Sequence, residues 1–311
     1  MKKIIYILLI VMIFGCEDQI NPDLPEAQRF YVIDAWIDSK PGSQLISITR
    51  SQPYFDSSLP SGVEGAIVYI LDDEGGRFNF NDVEDGNYIW AELPTDSIGV
   101  VGRSYTLFVE LSNGISFTSN TTMGRVPPID SISFRYEQNV FTDEEGVYVG
   151  QFWATDPIGP GDTYWIKAFQ NGYFLNKPSE INLAYDAAFG AGGGLDGETF
   201  IPPIREGVNS FDEDVEESDG EERGITAFYE NGDLLTVEIH SISLEAFNFL
   251  NQVIIQTDRP GGFAELFATP LSNTSTNIIS PSGEPVQGFF NMAAVSENER
   301  RLDVSEVPIE E

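Results

Sequence analysis

Few side chains in this 311-residue chain can carry proton-transfer or transition-metal chemistry. There is one histidine, His240, and one cysteine, Cys16. A Ser–His–Asp arrangement needs a serine presented to His240, and no Gly-x-Ser-x-Gly elbow exists to present one. No serine stands three residues before Lys40, Lys167 or Lys177, so the Ser-x-x-Lys pattern is also absent. Zinc and related metals prefer His and Cys donors, which this chain cannot assemble. Oxygen donors are plentiful, with 50 Asp and Glu against 16 Lys and Arg. Asp212, Asp214 and Glu216 imitate the start of a calcium-binding EF-hand loop. Glu217, however, stands where the turn needs glycine, and Arg223 stands where a bidentate glutamate should close the shell. The acidic turn Asp72, Asp73 and Glu74 remains as the candidate calcium site, and calcium is the one cofactor left open. Two carboxylates could hydrolyse a glycosidic bond, but among 50 acidic residues the closeness of some pair carries no information. Gly190 to Gly194 lacks a following Lys-Ser/Thr and opens no helix, so these glycines read as flexibility rather than a phosphate cradle. No catalytic residue is expected.

The surroundings of these groups are strands. In LTVEIHSI, Val237, Ile239 and Ser241 alternate with Glu238, His240 and Ile242, which places His240 beside Glu238 on the face expected to meet solvent. Trp36, Trp90, Trp153 and Trp165 fall in similar runs, with Tyr164, Phe169, Tyr173 and Phe174 nearby. Core packing is the plain reading of these aromatics, and a partner-binding platform is the sharper one.

Cys16 has a separate context. Lys2 and Lys3 precede an apolar run of 11 residues, Ile4 to Phe14, and Gly15 then precedes the cysteine. The run is shorter than the roughly 20 residues a transmembrane helix needs and fits the apolar stretch of an export signal. Ile13-Phe14-Gly15-Cys16 resembles the bacterial lipobox, whose cysteine is acylated before cleavage. On that reading 1–15 is a signal peptide, Cys16 carries lipid, and 16–28 is a polar tether. An exported protein with one cysteine forms no internal disulfide, so burial must stabilise it. Glu17 and Asp18 resemble the acidic export signal of surface lipoproteins of Bacteroidetes. The net charge of −34 repels nucleic acid phosphates, so no nucleic acid partner is expected.

From Phe30 onward, short runs rich in β-branched and aromatic residues are separated by turn clusters: 30–37, 44–51, 66–71, 77–80, 87–91, 104–111 and 115–121. Asn113-Gly114 and Asn171-Gly172 read as hairpin turns in which both residues take positive φ. Seven strands over 29–125 suggest an antiparallel, immunoglobulin-like sandwich. Val126-Pro127-Pro128 reads as a linker to a second β-rich domain over 129–296, with strands at 130–137, 147–156, 163–170, 173–176, 234–242 and 286–296. Residues 186–224 lose periodicity and read as a long glycine-rich and acidic loop. Ser243 caps one helix, 244–257, with Leu244, Phe247, Leu250 and Ile254 on one face and Glu245 in the first turn. An acidic tail, 297–311, should fray. The expected fold class is therefore all-β, two antiparallel sandwich domains with one helix in the second.

Taken in order, RFYVIDAWI, GAIVYILDDEGGRF, SYTLFVEL, VPPIDSISF and LTVEIHSISLEAFNFL resemble the domain-of-unknown-function 4249 family of Bacteroidetes lipoproteins. That resemblance implies an outer-membrane lipoprotein, lipid-anchored at the cell surface or on the periplasmic face, often associated with a TonB-dependent transporter. It implies no activity and no catalytic residues. The function expected is an accessory or binding lipoprotein of an uptake assembly. An adhesive or structural surface module and a carboxylate-based hydrolase are the alternatives.

Overall fold

A computed structural model describes residues 28–53, 56–90, 95, 97–138, 146–210, 229–259, 268, 270 and 272–308. The leader, Cys16, Glu17, Asp18 and the acidic run 212–222 lie outside the described residues.

The fold is all-β. The first seven strands are β1 (Tyr31–Asp38), β2 (Gln44–Arg50), β3 (Ile67–Asp72), β4 (Arg77–Asp82), β5 (Asn87–Trp90), β6 (Ser104–Glu110) and β7 (Ser116–Thr122). In β6, Tyr105, Leu107 and Val109 are buried while Ser104, Thr106 and Phe108 are less so, the period-2 pattern of a strand with one face in a core. The two Asn-Gly turns differ. Asn171 and Gly172 both take positive φ, 52° and 83°. At the other turn only Gly114 does, at 85°, and the Asn113 side chain accepts from Ile115 N at 3.1 Å. That side-chain bond leaves Asn113 in an ordinary conformation and passes the left-handed residue to glycine alone.

The second half supplies β8 (Ile129–Glu137), β9 (Val147–Ala154), β10 (Thr163–Gln170), β11 (Tyr173–Leu175), β12 (Asn182–Tyr185) and β13 (Leu234–Ile242). It also supplies α1 (Pro202–Glu206), α2 (Leu244–Thr257), β14 (Val286–Ala293) and β15 (Val295–Arg301). Ser243 caps α2 as its residue type predicts, accepting from Ala246 N at 3.1 Å. The helix buries Ala246, Phe247 and Leu250, while Leu244 in its first turn is exposed.

The sequence expectation for 286–296, one strand in the second domain, is corrected. The segment makes two strands in two different sheets. β14 runs parallel to β1 and completes an eight-stranded sheet in the order β14-β1-β2-β5-β4-β3-β6-β7. β15 pairs with β13 in the sheet β11-β10-β13-β15, where β12 also pairs with β10. The first unit therefore extends beyond 29–125, and 297–301, expected to fray with the tail, is part of a strand. The chain passes between sheets at Ala294, whose N–H donates to Ser241 Oγ at 2.8 Å and whose carbonyl accepts from Ser241 N at 2.9 Å.

The eight-stranded sheet curls until its ends meet. Tyr31 on β1 packs on Phe117 on β7, ring centroids 5.3 Å apart. A strap at residues 276–279 joins the margins. Thr118 and Ile279 exchange two backbone hydrogen bonds of 2.9 and 2.8 Å, and the Asn277 side chain bonds both backbone groups of Phe290. The eight strands wrap a core that includes Ile33, Ile46, Tyr88, Leu107 and Phe290. A second core, with Tyr164, Ile166, Val237 and Ile239, lies behind β10 and β13. Part of the expected loop belongs to that core. Phe200, Ile204 and Val208 are buried in it, so the later part of 186–210 is packed structure. No described helix is long and apolar enough to cross a membrane.

Candidate functional site: a cleft between the two sheets

Strand alternation determines which side chains meet where the two bodies touch. On β1, Ile33, Ala35 and Ile37 point into the first core, so Asp34, Trp36 and Asp38 emerge on the outer face. On β10, Tyr164, Ile166 and Ala168 enter the second core, leaving Trp165, Lys167 and Phe169 on the opposite face. Glu238 and His240 on β13 stand directly across from Lys167 and Trp165. These outward faces confront one another and enclose a cleft with two chambers that share Asp34 and Trp36.

The charged chamber, about 550 Å³, is lined by Asp34, Asp38, Lys40, Lys167, Glu238 and His240 among others. His240 is not on a solvent-facing side. It is 3% exposed and bonds Glu238 Oε2 through Nε2 at 2.6 Å. The alternation places it correctly beside Glu238, but β13 is covered on both faces, by its own core and by the first sheet. Glu238 also pairs with Lys40, which in turn reaches Glu297 at 2.6 Å. Burial alone would raise the Glu238 carboxyl. The hydrogen bonds from His240 and Lys40 outweigh it and hold the group at about 2. Burial pushes the His240 imidazole down despite the opposing pull of Glu238, so the ring is neutral at pH 7 and donates Nε2–H. For Lys40, burial works downward and is outweighed by hydrogen bonds to Glu238 and Glu297, so its ammonium is held above the ordinary lysine range.

Lys167 and Asp34 are placed differently. Neither charged head makes a hydrogen bond or ion pair with another described residue. The Lys167 ammonium lies 4.2 Å from the Trp165 ring centroid and 5.8 Å from that of Phe174. Burial pushes it down, against the pull of Glu238 and Asp38. Asp34 keeps a face open to the cleft, yet the walls around it deprive the carboxyl of water and raise it, with Lys167 offsetting only part.

The second chamber, about 390 Å³, is apolar and lies under α2. Trp36 meets Trp165 edge-on at 5.4 Å and stacks on Phe289 at 5.7 Å, while Phe249 packs on Phe289 at 4.8 Å. The four tryptophans therefore divide. Trp90 is in the first core, Trp153 is partly exposed with Arg205 over its ring at 3.7 Å, and Trp36 and Trp165 wall the cleft.

The candidate calcium turn is occupied by protein groups. Asp72 accepts from Gly76 N at 2.6 Å and Glu74 N at 3.1 Å and pairs with Arg103 at 3.2 Å. Glu74 pairs with the same guanidinium at 2.5 Å, and Asp73 accepts from Ser104 N at 3.2 Å. A cation there would have to displace Arg103, whose fork already neutralises both carboxylates. A different acidic group, Asp156, Asp162 and Asp186, comes together with oxygens within 4.8 Å. It too is served from within. Tyr164 donates to Asp156 at 2.7 Å, Gly161 N to Asp186 at 2.8 Å, and Arg125 bonds Asp162 at 2.7 Å.

The sequence reading missed Asp34, Lys40 and Lys167 as site residues. A signal existed for one of them. Trp165, Lys167 and Phe169 share a strand face, and a lone lysine between two aromatics on such a face is out of place in a plain core.

Acid should weaken this junction. Glu238 ordinarily titrates at 4.5 and is held near 2, so its contribution is complete above about pH 4.5 and is lost as pH falls toward 2. His240, depressed from 6.5, acts in the same direction, because protonating it in the fold is unfavourable below its ordinary range. The expected result is a denaturant midpoint that falls on acidification more steeply for the native protein than for Glu238→Gln, a comparison that cancels general charge effects. Parallel profiles would refute it.

The site is thus a ligand-sized cleft in an all-β protein. The chain belongs to the family described as domain of unknown function (DUF4249), which matches residues 17–299. No curated protein matches this sequence. A solved structure from work on host cell surface retention of a 1.5-MDa bacterial ice-binding adhesin is similar at 10% identity and a TM-score of 0.17. That alignment covers 90% of this chain and 66% of the other, and a likeness this low carries no argument.

Proposed function

We propose that this protein is a non-catalytic, lipid-anchored accessory lipoprotein that captures a small cargo in the cleft and works beside an outer-membrane TonB-dependent transporter. The observation that carries the binding half is the cleft itself, with Lys167 and Asp34 both unpaired beside an aromatic chamber. Lys167 is partly buried against aromatic rings with no hydrogen-bonded anion, and Asp34 stands open to the same cleft, so both heads are available to a ligand. The anchoring half rests on the leader, Cys16 and the acidic pair Glu17 and Asp18, and the transporter half on the family resemblance. The test is affinity purification of the full chain from cell envelopes in mild detergent. A TonB-dependent barrel should come with it in a fixed ratio. Recovery as a lone monomer under several gentle conditions would remove the transporter from the proposal.

A further inference from the structure

We propose that the cleft takes a dipeptide-sized zwitterion with aromatic side chains, its carboxylate on Lys167, its ammonium on Asp34 and a ring between Trp36, Trp165 and Phe289. This rests on the binding reading above and names its ligand class.

The argument starts from the charges left over. Lys40 and Glu238 neutralise each other. Asp38 is engaged on one oxygen, its Oδ1 accepting from Lys40 N at 2.9 Å and Gln44 Nε2 at 3.3 Å. That leaves Lys167 as the cation and Asp34 as the one carboxylate lining the chamber that has no hydrogen bond on either oxygen among the described residues. A ligand bearing only a carboxylate would satisfy Lys167 but face Asp34, Asp38 and a chain whose net charge is −34. A ligand bearing only an amine would satisfy Asp34 and leave the lysine without a hydrogen-bonded anion. A zwitterion answers both, and each contact is a charge-assisted hydrogen bond.

The apolar chamber determines the rest. Asp34 and Trp36 line both chambers, so a ligand head held at Asp34 has its body directed along Trp36 toward Trp165, Phe249 and Phe289. These rings already meet edge-on and stacked among themselves, the two arrangements a further ring would adopt. At about 390 Å³ the chamber lies within the size range of small-molecule sites, roughly 300–1,000 Å³, and is too small for a folded partner. Burial drives Lys167 down and Asp34 up, the direction expected of heads that lack a partner in the free protein.

The experiment is isothermal titration of the full-length protein in detergent with Phe-Phe and three analogues. These are the C-terminal amide, the hydrocinnamoyl form lacking the ammonium, and Ala-Ala. Phe-Phe should bind, and each analogue should bind at least tenfold more weakly. Lys167→Met should weaken Phe-Phe at least tenfold while binding the amide as the native protein does. Asp34→Asn should do the same for the hydrocinnamoyl form. Neither side chain makes a hydrogen bond on which the fold depends, so both variants should melt close to the native protein, and a loss of binding is then not a loss of fold. Analogues equal to Phe-Phe, variants that bind it normally, or no heat with any probe at millimolar concentration would overturn the assignment. Absence of binding alongside a co-purifying barrel would sink the ligand class and leave the accessory reading standing. Binding without a barrel would do the reverse.

Discussion

Gly288→Ala should cost about 4 kcal/mol and part β14 from β1. Gly288 sits in β14 opposite Ile33, in the one parallel pairing of the eight-stranded sheet. Its φ of +97° is strained for any L-residue. A Cβ built there would lie 2.0 Å from the Ile33 carbonyl oxygen and 2.7 Å from its carbon, both backbone atoms that no rotamer change can move. The substitution must therefore push β14 off β1. That opens the sheet margin, where Phe290 is fully buried, and disturbs the cleft wall, where Phe289 packs. Gly283→Ala is the control. Its φ is +79°, but nothing lies within 4 Å of the added methyl, so it should cost only the conformational strain, about 1 kcal/mol. Chemical denaturation of the two variants separates the terms. Equal losses would mean that the β1–β14 contact tolerates expansion.

Glu238→Gln should cost about 2 to 3 kcal/mol at pH 7. The carboxylate side chain is 7% exposed and holds His240 on one oxygen and Lys40 on the other. The amide keeps the shape but withdraws the charge, so Lys40 loses its buried partner and His240 keeps at best a neutral acceptor. Removing one member of a buried pair typically costs 3–5 kcal/mol. The value here is set lower because the Lys40 side chain is 40% exposed, and water and Glu297 can compensate it. A double-mutant cycle with Lys40→Met should find the two substitutions non-additive by about 1 kcal/mol. Additive losses would show that Lys40 and Glu238 act independently. Glu238 supports Lys167 from the adjacent strand, so this variant should also weaken cargo binding, though less than a substitution at Lys167 itself.

Much of the framework could be read directly. β10 and β13 span the residues their patterns indicate, 163–170 and 234–242, and α2 begins at the capping serine and ends at Thr257. Local alternation, turn chemistry and a cap are properties of a few neighbouring residues, so they survive in a linear reading. The family resemblance, carried by the order of such segments, is likewise a linear property, and the family match over 17–299 agrees with it.

What neighbours in sequence cannot encode is which outward face will be covered by a distant segment. His240 alternates as a surface residue would, and only the approach of β1, some 200 positions earlier, buries it. VQGFFNMAAVS reads as one strand because its apolar run is continuous. That continuity reflects burial on both faces at a crossing point, where Ala294 hands the chain from one sheet to the other. The acidic turn at Asp72 looks like a cation site until Arg103, brought in by the β3–β6 pairing, neutralises it. The composition excludes a histidine cluster and an internal disulfide from this sequence, because residue types must be present to act. Tertiary structure alone decided where the remaining charges stand unpaired, because burial and pairing depend on segments far apart in the chain that meet only on folding.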